Sequence, residues 1–400
     1  MDKNTQNWKE FTLGNPQEEP PRRVDKKHRR RKRVRFALVF LLVLAIVAAA
    51  ILWDRGTFDG LRRSVLYYRA EKDETGCAQL YTYPSDKTSC FLSLGGSLVN
   101  ASQNQLQLID ESNDVLYSAS VQFLKPAVGA RGGLGLVYDV GGTGVYVLNS
   151  KGLRWQKTME GEVLSAALSD GGYTAVVYNK SGYKAGVSVF DSEGREVFAF
   201  LSADRFLLHA AVSHDGKSVA IISLGQDDGV FASYMTIYRL SSTEPAAECT
   251  MENNMIYQLG TVGNTFCAVG DESLFFVDGN GTIRGTYHYG DEYLRRCSLT
   301  GNGYAALLLG HYKTGTDAKL LIIDPNGDEQ AVTALDSEVL SLSAAGRYVA
   351  VLYSDSMTVF DKTLTQQAAL TESSEGRAVL MRDDGSAVIA GAARASLYLP

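Results

Sequence analysis

Beyond residue 75 the apolar positions fall in short runs broken by Gly, Asp, Asn and Ser, and no long stretch repeats with a helical period. The runs group into a recurring unit. An apolar segment, a small polar turn, a second apolar segment, a variable gap and a third strand ending at an Asp or Asn turn follow one another. The unit is clearest in AALSDGGYTAVVY followed by GVSVFDSEGREVFAF, and in AAVSHDGKSVAII followed by YMTIYRL. Its third-strand ends align at Asp110, Asn149, Asp191, Arg239, Asp278, Asp324, Asp361 and Tyr398, with spacings of 39, 42, 48, 39, 46, 37 and 37 residues. That period belongs to four-stranded propeller blades of about 40 to 45 residues. The expected fold is therefore all-β, a β-propeller over residues 77–400. Eight blades are favoured, with seven as the fallback because the first repeat is the least regular. The sequence reaches Pro400 two residues past the last aligned position, which leaves the eighth blade one strand short. Segment 78–83, AQLYTY, is expected to supply that strand and so remove an exposed sheet edge.

A different pattern precedes the repeats. Residues 36–53, FALVFLLVLAIVAAAILW, contain no charge, and eighteen helical residues span about 27 Å, near the thickness of a bilayer core. One transmembrane helix is expected there. Ten Lys or Arg between Arg22 and Arg35, against Arg55, Arg62 and Arg63 just after the run, orient it with the amino terminus in the cytoplasm. A cleaved signal peptide is the rival reading, since Ala48, Ala49 and Ala50 follow an apolar core; the long basic leader and the continuation through Trp53 argue for an uncut anchor. Residues 1–35 mix charge and proline with little apolar content and are expected to be disordered. Residues 54–76 form a neck, in which Leu61, Val65 and Leu66 with Arg62, Arg63 and Arg69 predict a short amphipathic helix near the membrane surface.

Charge divides at the same place. The net −6 comprises +7 over residues 1–35 and −13 beyond them. A body that acidic repels polyanions, which excludes nucleic acid as its partner, and the basic run before the span serves as a topology signal.

The runs GYKAGVSVFDSEGREVFAFLSADRFLLHAAVSHDGKSVAII, GLGLVYDVGGTGVYVL and FCAVGDESLFFVDGNGT resemble a family of single-span propeller proteins of anaerobic Gram-positive bacteria known as domain of unknown function 5711. The resemblance covers roughly residues 25–400. It implies an anchored envelope protein and supplies no catalytic residues.

The candidate chemistry is sparse. Ser213-His214-Asp215 has the letters of a nucleophile triad, but adjacent residues cannot converge as that chemistry requires, and the position matches the first turn of other repeats, SDGG at 169–172 and RDDG at 382–385. The segments DGNGT at 278–282 and DPNGD at 324–328 resemble the start of a calcium loop without its later glycine and glutamate; both fall on third-strand hairpins. Five histidines and five cysteines lack metal spacing, and only Cys77 and Cys90 are near enough in sequence to be considered as a disulfide pair. No cofactor motif is present. Binding function on a rigid scaffold usually lies in lengthened loops. Two such insertions, 225–233 and 310–316, single out Gln226, Asp227, Asp228, His311, Tyr312 and Lys313 as candidate binding residues. Tyr138 and Asp139, before the hairpin glycines Gly141 and Gly142, are candidate face residues. The expected function is a non-enzymatic scaffold at the outer face of the cytoplasmic membrane, with an envelope protein or cell-wall polymer as partner. The alternative is an envelope hydrolase or lyase with its site at the central channel.

Overall fold

The computed structural model describes residues 36, 39–41, 43–44, 59–68, 72–227, 230–371 and 376–400. The apolar run 36–53 and the basic tail thus lie largely outside the described residues; no described helix is long and apolar enough to cross a membrane. Residues 60–400 form one unit.

Among the described residues, thirty-two strands build eight antiparallel four-stranded sheets, the blades of a propeller. Blade 1 comprises β2 (Cys90–Leu94), β3 (Ser97–Ala101), β4 (Gln105–Ile109) and β5 (Val115–Ser120), and blade 2 runs from β6 (Pro126–Arg131) to β9 (Gly152–Thr158). Blades 3 to 7 repeat the order through β29 (Gln366–Leu370). Blade 8 takes β30 (Ala378–Met381), β31 (Ala387–Ala390) and β32 (Arg394–Tyr398) from the carboxyl end, and β1 (Cys77–Thr82) completes it as the outermost strand. Cys77 pairs with Tyr398 and Thr82 with Arg394. The eight-blade count and the closing strand are those expected from the repeat.

Eight apolar clusters, one between each pair of neighbouring blades, form the core. Middle strands are packed on both faces, so β11 (Thr174–Tyr178), β20 (Ser273–Val277) and β27 (Tyr348–Leu352) are buried throughout and read as continuous apolar runs. Outer strands such as β25 (Glu329–Leu335) alternate between water and core.

The aspartates that mark the repeat have a structural task. At the end of the third strand, Asp278 Oδ1 accepts the backbone N–H groups of Asn280 (2.9 Å) and Thr282 (3.0 Å), and its Oδ2 accepts the Arg284 Nε–H at 2.8 Å. Asp110, Asp191, Asp324 and Asp361 make the same pair of bonds to residues two and four further on. These carboxylates close hairpins. For Asp278, burial works upward, but the backbone amides and Arg284 hold the carboxyl below its usual range. Asp73 repeats the motif ahead of β1, accepting the N–H groups of Thr75 and Cys77, each at 2.9 Å. The closing strand therefore carries its own hairpin turn, and the ring is cut between a third strand and that turn.

All five cysteines are free thiols. Cys77 is on the outermost strand of blade 8 and Cys90 on the innermost strand of blade 1, a separation of roughly three strand spacings, or about 14 Å, which precludes a bond.

Candidate functional site

With four antiparallel strands per blade, first-to-second and third-to-fourth turns share one face of the ring, here face one. The second-to-third turns and the segments between blades share the other, face two.

Face one is occupied by the protein's own groups. The neck helix α1 (Asp59–Leu66) brings Arg62 to 3.4 Å from Asp383, while Arg63 Nη1 donates to the Asp384 carbonyl at 2.5 Å. Just beyond it, the Tyr67 hydroxyl donates to Asp384 Oδ2 at 3.1 Å. The basic residues expected near lipid thus bind the propeller. Arg382, 8% exposed, donates to the hydroxyls of Tyr67 (3.0 Å), Tyr81 (3.2 Å) and Ser93 (3.0 Å) and lies 3.6 Å from Glu111. One guanidinium so joins the neck, the closing strand and blade 1.

Beside it opens a cavity of 1110 Å³ at the channel mouth. Arg131 of blade 2 reaches across it, with Nη2 donating to the Thr261 carbonyl of blade 5 at 2.8 Å and Nε donating to Asp170 at 3.0 Å. Asp170 also meets His214 Nδ1 at 2.9 Å. Burial works to raise the Asp170 pKa, yet the His214 ring and the Arg131 guanidinium hold it below the usual carboxylate range. His214 points to Asp170, not to its sequence neighbours: the Ser213 hydroxyl donates to Asp215 at 2.7 Å, and Gly216 at φ +68° completes a tight turn.

Face two differs. Every exposed large apolar or aromatic side chain described between residues 77 and 400 lies either on an outermost strand or on this face, and none lies on the face-one turns. Tyr312 (72% exposed), Phe231 (67%), Phe206 (55%), Met255, Tyr257 and Tyr293 gather on blades 4 to 6, with Leu164 and Tyr183 beside them on blade 3. The innermost strands of the same four blades are irregular. Their pairing slips at Val163/Ser165, Leu207/His209, Ile256/Gln258 and Leu294/Arg296, whereas the innermost pairs of blades 1, 2, 7 and 8 run in unbroken register. Such bulges re-aim side chains. The residues released include Leu164 and Tyr257, both on the aromatic arc, and Arg295, whose Nε and Nη1 donate to the carbonyls of Tyr312 (2.7 Å) and Gly315 (2.8 Å). Arg295 therefore holds the 311–317 loop in shape from beneath. On blade 3, the Ser165 hydroxyl donates to the Leu208 carbonyl at 2.7 Å and steadies the neighbouring bulge.

The sequence-based candidates divide accordingly. His311, Tyr312 and Lys313 form an exposed turn on face two, with Lys313 Nζ 5.6 Å from the centre of the Tyr293 ring. The other insertion is not a loop. It lengthens β15 (Ser218–Asp227) and β16 (Val230–Arg239), pairing Gln226 with Phe231 and Asp227 with Val230, because Val230 and Phe231 continue the strand-forming run of Tyr234, Thr236 and Ile237 and favour ladder bonds over a coil. Gln226 is exposed there and Asp228 lies outside the described residues. Tyr138 and Asp139 are structural. Asp139, buried, accepts the Lys125 backbone N–H at 2.9 Å, and the Tyr138 phenol is largely buried, with its pKa raised by that burial. Phe206 and Tyr257 were missed in the sequence because an aromatic at a strand start reads as core.

Below this arc, burial brings the His209 imidazole down to about 4. The folded pKa lies below the unfolded one near 6.5, so the contribution is intact at neutral pH and lost as pH falls from about 6.5 to 4, by up to about 3 kcal/mol. Thermal unfolding compared at pH 7 and pH 4.5 should show a smaller acid-induced fall in His209→Leu than in the parent.

The ring of eight four-stranded sheets is an eight-bladed β-propeller with an aromatic arc on face two. The chain belongs to the family of unknown function DUF5711, whose pattern matches residues 73–389. Its fold is similar to that of the carboxyl-terminal WD40 domain of Sif2 (13% identity, TM-score 0.58), over 81% of this chain and 98% of that one. It is also similar to BamB from Moraxella catarrhalis (12% identity, TM-score 0.51), over 81% of this chain and all of that one (100%). No curated protein sequence matches it.

Proposed function

We propose that this protein is a non-enzymatic scaffold, held in the cell membrane by the apolar run 36–53 with its amino terminus in the cytoplasm, that binds an envelope partner outside the cell through face two of blades 3 to 6. The observation that carries this reading is that, among the described residues 77–400, the exposed aromatic side chains fall in one sector of one face, since soluble surfaces seldom leave such groups together without a partner. The anchor rests on the hydropathy and charge of the sequence. The test is site-specific photo-crosslinking in intact cells. A crosslinker replacing Phe231 or Tyr312 is expected to capture a discrete envelope component, and one replacing Leu116 on the outer strand β5 is expected to capture none. Equal capture at all three positions, or none at any, refutes the face-two reading.

An envelope hydrolase or lyase is the second reading, favoured by Asp170, His214, Glu111, Asp383 and Asp384 around the face-one mouth. Asp170, Asp383 and Glu111 have cationic neighbours, and Asp384 Oδ1 accepts the Ser386 N–H (2.9 Å) and hydroxyl (2.6 Å). A carboxylate held ionised by Arg131 is a weak proton acceptor at neutral pH.

A further inference from the structure

Resting on the scaffold reading, we infer that the partner segment recognised by face two is a peptide with bulky apolar side chains flanked by lysine or arginine. The arc supplies the apolar half of that recognition: Phe206, Phe231, Met255, Tyr257, Tyr293 and Tyr312 are exposed across three successive blades. Aromatic and methionine surfaces of this kind accept varied apolar side chains.

The rim supplies the charge. The turns and connections of this sector, residues 159–162, 179–184, 203–205, 253–255, 271–272, 289–292, 311–317 and 336–340, hold ten Asp or Glu against four Lys or Arg. Some of that negative charge is already matched, as in Lys180 with Glu160 and Lys319 with Glu292 (2.6 Å). The excess still favours a cationic partner and repels an acidic one. The rings themselves carry cations in this chain: Lys184 Nζ sits 4.6 Å from the centre of the Phe206 ring, and Arg205 stacks 4.0 Å from that of Tyr234. A lysine or arginine from a partner can take up the same geometry on the open rings.

The test immobilises the full-length protein in detergent micelles and selects from a random-peptide phage library, then measures the selected peptides in solution by fluorescence anisotropy. Enriched sequences are expected to combine bulky apolar residues with net positive charge, and to bind about tenfold more weakly at high salt. Phe231→Ser with Tyr257→Ser should weaken them by a further tenfold or so, since each ring is an exposed contact whose loss leaves the core packed. Leu116→Ser, on an outer strand, should leave binding unchanged. Enrichment of acidic or uncharged sequences, no enrichment, or binding indifferent to the face-two substitutions overturns the inference. So does self-association of the propeller through this face, read by sedimentation of the parent against the double variant. Photo-crosslinking at Phe231 separates the two levels: a captured partner whose crosslinked segment is not basic leaves the scaffold reading standing and removes this one.

Discussion

A chain that begins at Pro84 is expected to unfold roughly 10 °C or more below one that begins at Lys72, and to self-associate. The two differ in β1 and its turn. Without them Tyr81 (0% exposed) and Tyr83 no longer fill the blade 8 and blade 1 interface, which removes about 2–3 kcal/mol of burial for each. The hydrogen bonds from Tyr83 to the carbonyls of Gly391 (3.1 Å) and Arg394 (2.8 Å) are lost as well. The remaining edge of β32 is unpaired and apolar, a template for another chain. A synthetic peptide covering residues 72–84, added in trans, should restore both the melting temperature and the monomer on size-exclusion chromatography, as donated strands do elsewhere. Identical melting of the two chains would show that the ring holds without its clasp.

Arg382→Met is the second large effect, expected at about 3–5 kcal/mol of lost stability. Its guanidinium is buried among three hydroxyls and beside Glu111, so the apolar replacement leaves Tyr67, Tyr81 and Ser93 without a shared donor. Hydrogen exchange should then locate the damage. Amides of α1 and β1 are expected to exchange faster, while those of blade 5, on the far side of the ring, keep their protection. Uniform acceleration across all blades would instead mean that Arg382 supports the whole ring.

The repeat was legible because its marker residue is tied to backbone geometry. Each hairpin aspartate accepts two amides at fixed offsets, so the period survives where the apolar residues vary. Asp73 carries the same signal, Asp-x-Thr-Gly, and would have located the cut in the ring. Arg382 could not be found this way, because its partners Tyr67, Tyr81 and Ser93 are some three hundred residues away and nothing in its local sequence, RDDG, departs from an ordinary turn. The face-two bulges were hidden for another reason. A register slip at Ile256/Gln258 is set by packing against neighbouring blades, and Tyr257 looks the same in sequence whether it enters the core or leaves it. The 225–233 insertion misled because its length suggested a loop while its residues, Val230 and Phe231 among them, prefer strands.

The closing strand also sets an order of events during synthesis. Cys77 to Thr82 are made roughly three hundred residues before their partners Arg394 to Tyr398. At about 5–20 residues per second, β1 waits roughly 15 to 60 s for a neighbour. Seven blades can assemble in that interval, each from contiguous chain, while the first strand stays open to any passing edge. The short β1, with Asp73 fixing its turn in advance, exposes few ladder positions during that time.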